Sequence, residues 1–93
     1  MPRFQRGETI ICWRNVKNID TGEYIDPSSM RIQIKNSKNE IAAEEQDMHR
    51  EDIGHYSYDF NTRASMPAGK YRAIYTATDG IRVTIETDNF GII

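Results

Sequence analysis

Apolar and polar residues alternate with period two along most of this chain. Glycine, proline, asparagine and aspartate interrupt the alternation at intervals. Such a pattern predicts short strands separated by turns. In residues 8–16, Ile10 and Cys12 point one way, while Thr9, Ile11 and Trp13 point the other. Asn18 to Gly22 reads as a turn, and Asp26-Pro27 as a reversal or strand start. Residues 29–35 set Met30, Ile32 and Ile34 against Arg31, Gln33 and Lys35. Asn36-Ser37-Lys38-Asn39 is the next turn, and residues 40–43 form a short strand. Residues 44–52 are polar and read as an extended edge with a loop.

Two aromatic rows follow. Tyr56, Tyr58 and Phe60 alternate with His55, Ser57 and Asp59, and Tyr71 and Tyr75 alternate with Lys70, Arg72, Ile74 and Thr76. A helix would scatter these rings, whereas a strand lines them up. Asp79-Gly80 signals a hairpin, after which Ile81, Val83 and Ile85 alternate with Arg82, Thr84 and Glu86. Six or seven strands and no amphipathic helix predict an all-β antiparallel sandwich. Its expected core comprises Ile10, Cys12, Met30, Ile32, Ile34, Tyr56, Tyr58, Phe60, Tyr71, Ala73, Tyr75, Val83 and Ile85. Residues 1–93 read as one domain, with 1–6 and 88–93 as extensions.

The order of signals resembles that of immunoglobulin-like β-sandwich modules. It runs from Gly7-Glu8-Thr9-Ile10 through Asp20-Thr21-Gly22, Asp26-Pro27 and Gly54-His55-Tyr56-Ser57-Tyr58 to Pro67-Ala68-Gly69-Lys70-Tyr71. Modules of this kind occur in macroglobulin-type and bacterial surface proteins, and as small stand-alone domains of phage and archaeal viruses. The resemblance implies a binding or structural module of about seven strands without catalysis. The paired cysteines and intervening tryptophan of antibody domains are absent.

Composition narrows the partners. Twelve basic and fourteen acidic side chains give a net charge of −2, which provides no general attraction for nucleic acid or an anionic membrane. The single cysteine, Cys12, excludes an internal disulfide, and its apolar strand predicts a buried, inert thiol. The N-terminus lacks the apolar run of a signal peptide, which predicts a cytoplasmic protein or one assembled there into a particle.

Chemistry-bearing groups are sparse. His49 and His55, with Asp47 or Asp52, are a candidate metal set at a spacing that matches no standard motif. Asp20, Glu23 and Asp26 cluster at bends and read as turn formers. No nucleophile elbow or phosphate loop is present, so neither catalysis nor a cofactor is expected.

The remaining signal is apolar residues off the predicted core face. Ile11, Trp13 and Ile74 are such residues, and Phe90, Ile92 and Ile93 end the chain. Either the tail folds over Ile11 and Trp13, or these groups form an interface. The leading expectation is a non-enzymatic component of a phage or virus particle, with virion subunits or a second copy as partner. One alternative is a carbohydrate- or cell-surface-binding module using Trp13 and Tyr24. Another is a small metal-binding protein using His49 and His55.

Overall fold

The computed structural model describes residues 2–93. It is an immunoglobulin-like all-β sandwich of two sheets. The strands are β1 (Arg3–Phe4), β2 (Thr9–Asn15), β3 (Ser29–Asn36) and β4 (Ile41–Asp47). They continue with β5 (His49–Asp52), β6 (His55–Asn61), β7 (Gly69–Asp79) and β8 (Arg82–Ile92). One sheet has the order β1-β8-β7-β3-β4 and the other β2-β6-β5. All pairings are antiparallel except that of the two-residue β1 with the end of β8.

Alternation decides what each sheet buries. Ile10 and Cys12 of β2 and Tyr56 and Phe60 of β6 face Met30, Ile32, Ile34, Tyr71, Ala73 and Tyr75 of the larger sheet. Tyr58 packs against this cluster but is only partly buried. The Tyr71 ring stacks on Phe90 at 5.8 Å between centroids, and its hydroxyl donates to the Pro67 carbonyl at 2.7 Å. That bond gives the buried phenol a partner, as a core tyrosine requires.

The C-terminus corrects two expectations. Phe90 and Ile92 are neither a tail nor an interface; they are 4% and 1% exposed in the core. β8 continues the β7–β8 hairpin without a register shift, so residues 88–92 are its inner end and not an extension. The Gly91 N–H donates to the Pro2 carbonyl at 2.8 Å, and that of Ile93 to Phe4 at 2.9 Å, which fastens the N-terminal strand. Ile93 alone of the terminal apolar group is exposed.

Val83 and Ile85 are the opposite error. They are 59% and 64% exposed, although their alternation reads as core. The register sets Val83 beside Thr78 and Ile85 beside Thr76, on the outer face of the sheet with Ile74, whereas Phe90 lies beside the buried Tyr71 on the inner face. The hairpin loop is Gly80-Ile81, one residue later than Asp79-Gly80, because Asp79 pairs with Arg82. Gly80 takes φ of 62°, which favours glycine.

Burial of Ile92 predicts that Ile92→Ala lowers unfolding free energy by roughly 2–5 kcal/mol, whereas Ile93→Ala changes it by less than about 1 kcal/mol. Chemical denaturation of the two variants measures the difference; equal, small losses contradict the core placement.

Candidate binding face on the three-stranded sheet

The outer face of the β2-β6-β5 sheet carries the chemistry-bearing residues that alternation excludes from the core. The register sets Trp13 beside Ser57 and Ser57 beside His49, one row across three strands. Asn15 lies beside His55, and Ile11 beside Asp59. Trp13 and Ile11 are 57% and 51% exposed, so no tail covers them. Ile74 belongs to the outer face of the other sheet, between Gln33 and Thr87, and so forms no patch with Trp13.

Ser57 is buried within this face, and its hydroxyl donates to Glu51 Oε1 at 2.6 Å. His49 Nε2 stands 3.9 Å from the same oxygen. Glu51 sits where β5 shifts register against β6, between Arg50↔Tyr56 and Asp52↔His55. Such an irregularity re-aims a side chain next to the ladder. His55 is committed elsewhere: its Nδ1 lies 2.8 Å from Asn15 Oδ1, and its ring packs against Tyr24 at 4.3 Å. Lys17 Nζ is 4.9 Å from the centre of the Tyr24 ring.

The expected metal set is therefore not assembled. Asp47 lies on the other sheet, 3.8 Å from Arg31 Nε, and Asp52 accepts from the Ile53 N–H at 2.7 Å. Among the described residues, no three His, Cys, Asp or Glu side chains stand close enough to hold one ion. His49 and Glu51 form a pair, with Ser57 as the group that holds the carboxylate.

Asp26 organises the segment behind this face. Its Oδ1 accepts from the Gly54 N–H at 3.0 Å and from the Tyr56 hydroxyl at 2.9 Å. Its Oδ2 pairs with Arg50 Nε and Nη2, each at 3.0 Å. The Arg50 guanidinium and the Gly54 N–H hold this carboxyl at about 2, below its ordinary 3.8. Asp26 thus has a larger role than the turn former expected from sequence. In the preceding loop it is Asn18 whose side-chain oxygen accepts from the Asp20 and Thr21 N–H groups.

Gly54 joins β5 to β6 with φ of 71°. An added Cβ would stand 2.6 Å from the Val16 carbonyl oxygen and 2.9 Å from Tyr24 Cβ, so only glycine fits. The Val16 N–H donates to the Gly54 carbonyl at 2.7 Å.

A groove of about 320 Å³ runs beside this face, between the free edge of β2 and the inner end of β8. Ile11 and Trp13 form one wall and Phe90 part of its floor. Farther along, Arg14 bridges the sheets, with its guanidinium 4.0 Å over the Tyr75 ring and 2.8 Å from Asp88. Burial pushes the Cys12 thiol up, which favours its neutral form.

No family model matches this sequence, and no curated protein does. Among solved structures, the fold is similar to that of CopC from Methylosinus trichosporium OB3b. The two share 12% identity at a TM-score of 0.67, over 98% of this chain and 81% of that one. At that identity the likeness establishes the fold alone. It supports the sandwich, and the expected phage or virus particle component is set aside, since the comparisons give it no support. The apolar tail that motivated the particle reading is also part of the core.

The Asp26 cluster predicts a defined acid response. Its folded value lies below the unfolded one, so its contribution is full above about pH 4 and fades as pH falls towards 2. Asp26→Asn should flatten the dependence of stability on pH in that window, measured by urea unfolding at each pH; an unchanged acid slope contradicts the assignment.

Proposed function

We propose that this domain is a metal-binding module whose ion sits on the outer face of the three-stranded sheet, against His49 and Glu51. The observation that carries the reading is the 3.9 Å separation of His49 Nε2 and Glu51 Oε1. Donors that share one transition-metal ion lie about 2.0–2.2 Å from it, and so stand roughly 3–4 Å apart. The Ser57 hydroxyl on Glu51 is the kind of supporting bond that orients a ligating carboxylate. Imidazole with carboxylate suits copper and zinc. The likeness to CopC, a copper-binding protein, makes copper the first ion to test.

Two protein donors leave the other coordination positions to water or to a ligand brought with the ion. Affinity is accordingly modest, and exchange is easy. Metal ligands must be deprotonated, so binding weakens in acid.

The exposed Trp13 supports a second reading, a sugar ring stacked on the indole. Tyr24, the other stacking candidate, is already packed against His55. Both readings use the same face and one reporter. Trp13 is the sole tryptophan, two strand spacings or roughly 10 Å from His49.

Titration with Cu(II) should quench Trp13 fluorescence with one ion per chain. His49→Ala and Glu51→Gln should each weaken binding about tenfold or more. Quenching that is unaltered in both variants, or no binding at neutral pH, contradicts the metal reading. A fluorescence change with a glycan and none with metal favours the sugar.

A further inference from the structure

β8 leaves an edge of the larger sheet open. Among the described residues, β1 covers it only at Gly91 and Ile92, and over Arg82–Asn89 its ladder partner is β7 alone. The direction of the free backbone groups follows from the inner end. There the Gly91 and Ile93 N–H groups point away from β7, to Pro2 and Phe4. The β7–β8 register is uninterrupted, so alternate residues keep that direction. Val83, Ile85, Thr87 and Asn89 therefore present N–H and C=O groups outward.

Natural sheet edges are usually blunted by lysine, proline or a bulge. Residues 82–89 contain neither lysine nor proline, the strand has no bulge, and its charged residues, Arg82, Glu86 and Asp88, all fall at the even positions. Val83 and Ile85 stand exposed beside the unpaired groups.

We propose that β8 pairs antiparallel with β8 of a second copy of this chain, joining two five-stranded sheets into one. The occupant follows from self-complementarity. In the register centred on Thr84, Val83 lies opposite Ile85 of the copy and Arg82 opposite Glu86, each twice through the two-fold axis. Odd positions then meet odd positions, so the outward N–H and C=O groups of Val83 and Ile85 satisfy those of the copy. Centring on Ile85 instead sets Arg82 against Asp88, which Arg14 already holds at 2.8 Å. Centring on Glu86 opposes that carboxylate to itself. Glu86 lies 3.6 Å from Arg14 Nε, with no hydrogen bond to that nitrogen, and is open to a second cation.

Sedimentation equilibrium over a wide concentration range tests the pairing. The chain should show a monomer–dimer equilibrium. Arg82→Glu and Glu86→Arg should each weaken it about tenfold or more, and the double variant should regain it. Ile85→Pro removes an outward N–H while leaving the bonds to β7, and should abolish the dimer. Ile85→Lys, which keeps every backbone donor, is a second disruption, and circular dichroism checks that each variant folds. A chain that stays monomeric at every concentration overturns the proposal, even if it captures an extended foreign peptide. So does a dimer indifferent to both Ile85 variants, or a double variant as weak as the single ones.

Discussion

The carboxylate of Asp26 is the constraint on which the candidate face depends. It lies in the loop between β2 and β3 yet bonds to three positions around the β5–β6 turn: Arg50, Gly54 and Tyr56. β5 is short, exposed along its length and paired only with β6. An edge strand of four residues has little packing to hold it. The Asp26 bonds tie it to a distant part of the chain, and so fix where His49 and Glu51 project. Gly54 completes the clamp, since the turn passes too close to the Val16 carbonyl for any side chain.

A second tie acts across the sandwich. Arg14 leaves the smaller sheet and lies over Tyr75 of the larger one, paired with Asp88. Its methylene stem covers apolar surface while its charge meets a carboxylate. Between them, Asp26 and Arg14 divide the molecule into a closed core, a polar outer face on the small sheet and a hairpin arm beyond. The face and the arm are separate surfaces, so an ion on one and a second copy on the other do not compete.

Strands and core were legible in the sequence because alternation is a direct consequence of the pleat. Residues 55–61 and 29–35 illustrate this; both form strands with the predicted faces inward. Alternation could not say which of the two faces of β8 is turned inward. Val83 and Ile85 therefore read as core although they share the outer face of the larger sheet with Ile74. Phe90 and Ile92 erred the other way, because the uninterrupted length of β8 is a property of its pairing with β7. The site was less legible still. His49 and Trp13 were visible as outward residues, but the Glu51–Ser57 contact depends on a register shift that leaves no mark in sequence. Asp26 looked like a turn residue because its partners lie 24 to 30 positions away.

The sandwich shared with CopC at 12% identity shows that very different sequences reach this fold. Function must then be sought in what each chain displays on it. The central claim is that this chain displays its ligands on the β2-β6-β5 face. Amide and indole NMR spectra recorded during a Zn(II) titration test it residue by residue. The account predicts shifts confined to His49, Glu51, Ser57 and their strand neighbours, with the Trp13 indole among them. Shifts centred elsewhere in the chain, or none at all, would contradict it.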